Sequence, residues 1–200
     1  MKKYLFVIIF CLTSIIAHAK IVQGKDYVAL PFYHTSHAKQ VEVLEFFSYH
    51  CSHCFQLSLK MDAMKWPSYV KLHRIQVMWG KQFDGLTRLL ATIEKMGKTR
   101  VLHHRVFLAF LEQGVMLADK YILFGWIKKQ PDINFKQFVR HYNSAAAVAT
   151  SDYYAKKTKE YAVDETPTII VGGKYRVLPS SPTRMVAVTR ELTAKISRQK

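Results

Sequence analysis

The run Val41-Glu42-Val43-Leu44-Glu45-Phe46-Phe47 passes through Ser48-Tyr49-His50 into Cys51-Ser52-His53-Cys54. Apolar residues then recur at Phe55, Leu57, Leu59, Met61 and Met64. A β-prone run that is apolar almost throughout predicts a strand buried in the middle of a sheet. The spacing after Cys54 predicts a helix that ends at or just before Pro67. A buried strand that turns straight into a helix, with two cysteines in the first turn, confines the chain to α/β architectures. Val70 to Trp79 predicts a second central strand.

From about Phe83 the apolar spacing becomes helical. Leu86, Leu89, Leu90, Ile93 and Met96 mark one helix, stopped at Gly97, and Val101 to Leu111 mark a second, ending near Gly114. Tyr121 to Ile127 predicts a third helix before Pro131. Asn134 predicts the cap of a fourth, from Phe135 towards His141, and Ala145 to Tyr161 reads as a longer fifth. Strand character returns at Thr168-Ile169-Ile170-Val171, with Gly172-Gly173 as a hairpin turn and Tyr175 to Leu178 as the return strand. A last helix begins near Pro182, capped by Ser181. No repeat or linker interrupts the pattern.

The first residues fall outside this fold. Met1-Lys2-Lys3, the apolar run Tyr4 to Ile16 and Ala17-His18-Ala19 follow the order of a secretory signal peptide, with cleavage expected after Ala19. The apolar run is short for a membrane span, which needs roughly 18 residues or more. Cleavage removes Cys11 and leaves Cys51 and Cys54 as the only thiols. A bridge between positions so close in sequence constrains little of the unfolded chain, so the pair reads as a redox centre of an exported protein.

At the start of a helix, unpaired backbone N–H groups and the positive end of the dipole stabilise the thiolate of the first cysteine. His53 adds a positive charge or a donor. A stabilised Cys51 thiolate is also a good leaving group, which makes a Cys51–Cys54 disulfide readily reduced. By itself the motif also suits half of a zinc site, although no second cysteine pair completes one. Glu45 stands out because a carboxylate within an apolar strand is costly unless it has work or partners. His103, His104 and His141 read as helix-surface or boundary residues and not as metal ligands. The chain carries 30 Lys+Arg against 14 Asp+Glu, a formal charge of +16. The basic runs at Lys156-Lys157-Lys159 and along the last helix read as a solvated face. The signal peptide and the lack of a basic-aromatic motif argue against a nucleic-acid partner.

The segment Glu45-Phe46-Phe47-Ser48-Tyr49-His50-Cys51-Ser52-His53-Cys54 resembles the active site of the DsbA-type thiol:disulfide oxidoreductases, which have the thioredoxin fold. Gly24-Lys25-Asp26-Tyr27 resembles that family's first strand, and Tyr142-Asn143-Ser144 a connection in its helical insert. Thr166-Pro167-Thr168 followed by Gly172-Gly173-Lys174-Tyr175 resembles its cis-proline loop and hairpin. The resemblance implies an α/β thioredoxin fold with an inserted α-helical domain. The boundaries expected are 1–19 for the signal peptide, 20–82 and 145–200 for the thioredoxin-like domain, and 83–144 for the insert. It implies Cys51 as nucleophile, Cys54 as its partner and His53 as the residue that lowers the thiol pKa. Pro167 is expected to be cis against the disulfide, with the Thr166 backbone receiving an extended client. Glu45 is expected to relay protons to Cys54, and His50 to modulate the site.

Ser52 and Thr166 depart from the best-known form, which has Pro and Val there. Both leave the redox potential open, and Thr166 looks like the isomerase and thioredoxin branches. The favoured reading is a periplasmic oxidase that introduces disulfides into reduced exported proteins and needs no metal or organic cofactor. A DsbB-like quinone-linked membrane protein is the implied reoxidant, and the chain is expected to be a monomer. A reductase or isomerase kept reduced is the rival within the enzyme class. A periplasmic chaperone or metal carrier using the same cysteines is the rival outside it.

Overall fold

The structure, a computed structural model, describes residues 20–31 and 40–199. The expected signal peptide lies outside the described residues. Strand β2 (Val41–Phe47) is buried at every position except Glu42. It pairs in parallel with β3 (Val70–Gln76) and antiparallel with β4 (Thr168–Val171). With β1 (Tyr27–Ala29) and β5 (Tyr175–Val177), the described residues form a five-stranded sheet in the order β1-β5-β4-β2-β3. Gly172 and Gly173, both at positive φ, make the turn between β4 and β5.

The expectation of a second central strand is corrected here. β3 is an edge strand, paired with β2 alone among the described residues, and its first five positions are partly or fully exposed. It also stops at Gln76, short of Trp79. Its polar residues Lys71, His73 and Arg74 belong to that edge, and sheet position is not visible in the local pattern.

Alternation along the strands directs their side chains to two faces. On one face, Val41, Val43, Ile169 and Val171 pack with Leu57 and Met61 of α1 (Ser52–Ala63) and with Met185, Val188, Leu192 and Ile196 of α7 (Pro182–Ser197). On the other, Leu44, Phe46 and Ile170 join Leu86, Leu89 and Leu90 of α2 (Asp84–Lys95) and Tyr154 of α6 (Ala145–Glu160). Helices α3 (Thr99–Leu111), α4 (Lys120–Lys128) and α5 (Phe135–Tyr142) extend this second core through Phe107, Leu123 and Phe138.

Side-chain caps fix where α5, α6 and α7 begin. Asn134 Oδ1 accepts the Gln137 N–H at 2.9 Å, Ser144 Oγ the Ala147 N–H at 3.2 Å and Ser181 Oγ the Arg184 N–H at 3.3 Å. Each cap satisfies an N–H that would otherwise lack an intrahelical partner. Between β2 and β4, the block α2 to α6 lies beside the sheet, so the loop after β2 and the turn into β4 meet at one end. The chain thus has the thioredoxin fold with a helical insertion.

Candidate active site

Three hydrogen bonds hold the loop that leads into α1. The Tyr49 N–H donates to Gln76 Oε1 at 3.1 Å, the His50 N–H to Ser48 Oγ at 3.3 Å and the Cys51 N–H to the Ser48 carbonyl at 3.0 Å. Gln76 is fully buried and its amide also donates to the Val77 carbonyl at 3.1 Å. Sequence reasoning missed this residue. No local sequence signal marks it, because its contact with Tyr49 depends on the pairing of β2 with β3.

Cys51 is the N-cap of α1, and its Sγ accepts the Cys54 N–H at 3.1 Å. The two cysteines form a disulfide with their Cα atoms 5.2 Å apart. Cys54 is fully buried, whereas Cys51 is part-exposed, so a thiol from solution has only one sulfur to attack. The Thr166–Pro167 peptide bond is cis, and the Thr166 carbonyl oxygen lies 3.5 Å from Cys51 Sγ. The Thr168 hydroxyl donates to the Glu165 carbonyl at 2.9 Å and ties this turn to the start of β4.

Two clefts flank the disulfide and share Thr166. One, of about 480 Å³, is lined by His50, Cys51, Trp79, Phe83 and Met116. The other, of about 270 Å³, is lined by His53, Leu57, Glu165, Pro167 and Met185. Trp79 and Met116 are about half exposed, while the Trp79 indole N–H is anchored on the Val163 carbonyl at 2.7 Å. Ser52 and His53 stand exposed at the helix start, and His50 lies against the Phe110 ring with centroids 4.3 Å apart. Partial burial there lowers the His50 pKa and favours the neutral imidazole.

Glu45 is fully buried on β2, opposite Arg74 of β3 and Ile169 of β4. Arg74 Nε lies 3.2 Å from Glu45 Oε2, a charge contact without the alignment of a hydrogen bond. Burial pushes the carboxyl pKa up, and the Arg74 charge opposes that rise. The other arm of Arg74 donates to Asp62 Oδ1 of α1 at 2.5 Å. Sequence reasoning singled out Glu45 but not its cationic partner, because only the β2–β3 register brings the two together.

The structure overturns the surface reading of one histidine. His103 is 1% exposed, its Nδ1 lies 3.0 Å from the Tyr49 hydroxyl, and the Phe47 and Phe107 rings pack against it. Burial holds its pKa well below the usual value, so it stays neutral. His104, its neighbour, is part-exposed and reaches Asp62 Oδ2 at 2.9 Å. Among the described residues no group of three or more His, Cys, Asp or Glu side chains is arranged to hold a metal ion. Nor is any described helix long and apolar enough to cross a membrane.

No family model matches the chain. It is 34% identical over 163 residues to the thiol:disulfide interchange protein DsbA of Pseudomonas syringae pv. tomato, covering 78% of this chain and 74% of that protein. The DsbA of Burkholderia cepacia is 28% identical over 161 residues, with 78% and 76% covered. Among solved structures, the oxidoreductase NmDsbA1 from Neisseria meningitidis superposes with a TM-score of 0.82 at 30% identity, over 89% of this chain and 95% of that one. NmDsbA3 from the same organism gives 0.79 at 33% identity, over 90% and 98%.

Proposed function

This chain belongs to the DsbA family of thiol:disulfide oxidoreductases, and from that footing we propose that it oxidises the thiols of reduced exported proteins in the periplasm. The observation that carries the reading is the placement of a part-exposed Cys51 sulfur at a helix start, disulfide-bonded to a buried Cys54 and 3.5 Å from the Thr166 carbonyl.

A client thiolate attacks Cys51 Sγ. The Cys51–Cys54 bond breaks, a client–Cys51 bond forms, and Cys54 leaves as a thiolate that takes up a proton. A second client thiolate then attacks the client sulfur of the mixed disulfide and expels Cys51 as a thiolate. Two electrons have passed to the enzyme, and the client holds the new disulfide. The N–H donated by Cys54 and the positive end of α1 favour the expelled thiolate.

In this proposal His53 adds to that stabilisation and Ser52 tunes it. Pro167 and Thr166 seat the client backbone beside Cys51, with Thr166 bonding to it as one strand bonds to another. His50 modulates the rim of the larger cleft, and Glu45 relays the proton that Cys54 takes up. A DsbB-like quinone-linked membrane protein reoxidises the pair. Residues 83–144 form the inserted helical domain and 20–82 with 145–200 the thioredoxin-like one, behind a signal peptide at 1–19.

The direction of flow is tested by equilibrating the pair with glutathione and titrating the Cys51 thiolate. A strongly oxidising pair with an acidic thiol supports the oxidase. A pair as reducing as thioredoxin, with an ordinary thiol, transfers the assignment to a reductase or isomerase.

A further inference from the structure

Arg74 is shared between two carboxylates. Its Nε faces the fully buried Glu45 at 3.2 Å without hydrogen-bond alignment, while its Nη2 is aligned on Asp62 at 2.5 Å. Asp62 is 38% exposed, and its second oxygen is held by His104 Nε2 at 2.9 Å. The same imidazole nitrogen lies 3.3 Å from the hydroxyl of Ser58, fully buried one helical turn beyond Cys54. A chain of contacts therefore runs from the buried carboxyl to the surface: Glu45, Arg74, Asp62, His104.

We infer that Asp62 and His104 are positioning residues that set the proton affinity of Glu45 by dividing the charge of Arg74. Asp62 draws the guanidinium away from Glu45 and adds a like charge. Both effects keep the buried carboxyl protonatable, which a proton carrier requires. His104 acts in the opposite sense, since its 2.9 Å contact with Asp62 weakens that carboxylate's hold on Arg74. When protonated it supplies the positive charge that makes an ionised Glu45 tolerable. The other groups around the site are His103 on α3 and Tyr49 in the loop after β2, both neutral because burial disfavours their charged forms, and Glu94 of α2, whose carboxyl also feels the Arg74 charge. Ile169, opposite Glu45 on β4, is apolar. The inference rests on the relay reading of Glu45 but makes a claim of its own.

The test follows the Glu45 carboxyl by carbon NMR against pH in the reduced mature protein, with Glu45→Gln to assign the signal. The glutathione equilibrium is measured over the same pH range. Asp62→Asn is expected to lower the Glu45 midpoint by about one pH unit, a tenfold change in proton affinity. His104→Gln is expected to raise it. A purely structural role gives no such opposed pair. Unmoved midpoints in both variants, or shifts of the same sign, overturn the inference. Should Asp62→Asn fail to fold, the sign of the His104→Gln shift decides alone. If Glu45→Gln leaves the pH dependence of the glutathione equilibrium unchanged, the relay reading fails, while the NMR midpoints still judge the division of Arg74.

Discussion

The backbone N–H of Cys54 points at Cys51 Sγ from 3.1 Å, so the buried half of the redox pair donates to the exposed half. The hydrogen bond strengthens once Cys51 carries charge, because bonds to an ionised partner are roughly twice as strong as neutral ones. In the reduced protein, native alkylation at pH 6 is expected to label Cys51 and spare Cys54. Mass mapping of the labelled peptide checks it, and labelling of both residues at similar rates contradicts it. Cys54→Ser is expected to accumulate client-linked disulfides through Cys51, visible on non-reducing gels.

His53 is exposed at the first turn of α1, where a positive charge or a donor favours the thiolate. His53→Leu removes that contribution and leaves the helix end intact. The glutathione equilibrium is expected to move toward the disulfide form about tenfold, corresponding to ~1.4 kcal/mol of thiolate stabilisation. An unchanged equilibrium constant assigns the poise to the helix and Ser52 instead.

The cleft lined by Trp79 and Met116 opens beside Cys51. Met116→Asp puts a charge on an apolar wall outside the redox chemistry. The kcat/KM for a reduced protein client is expected to fall about tenfold, in line with losing burial worth roughly 1.5 kcal/mol. Oxidation of a small dithiol, which does not fill the cleft, is expected to keep its rate. Equal losses for both substrates exclude this cleft as a client surface.

Tyr49→Phe deletes the hydroxyl that meets His103 Nδ1 in a buried site where Nε2 already lacks a hydrogen-bond partner. A cost of about 1–3 kcal/mol is expected in urea unfolding. Adding His103→Phe removes the orphaned imidazole and is expected to recover part of that loss. A double variant as unstable as the sum of the two singles rules out coupling through this bond.

Arg184 of α7 grips Asp26 before β1, with Nη2 at 2.7 Å and Nε at 2.8 Å. That bidentate contact holds the carboxyl pKa down at about 2. A carboxylate depressed in the fold stabilises it above its unfolded pKa of about 3.9 and loses that contribution as pH falls toward 2. Asp26→Asn is therefore expected to lower stability at pH 6, with the difference from the parent narrowing between about pH 4 and pH 2. Parallel acid-unfolding curves refute the linkage.

Much of this was legible locally. The run Val41–Phe47 carries its own strand signal, and the structure places β2 on those seven residues. Asn134 and Ser181 announce helix starts because capping is chemistry between neighbours, and both caps are present. What stayed hidden depends on partners distant in sequence. Arg74 meets Glu45 only through strand register, Asp26 meets Arg184 across almost the whole chain, and His103 is buried because Tyr49 and Phe47 close over it. The edge position of β3 is likewise a property of the sheet and not of the strand.

That edge position bears on how such an enzyme survives its own clients. An unfolded chain offers backbone donors and acceptors to any open strand, and an undefended edge would capture it in unproductive, aggregating pairs. β3 meets that hazard with Lys71, His73 and Arg74 among its seven residues, while β1, at the opposite border, is only three residues long. On the proposed reading, with both borders guarded, the backbone beside the sulfur pair is the favoured landing place for an extended client. In that reading, selectivity for the reactive site is enforced partly by what the rest of the sheet refuses.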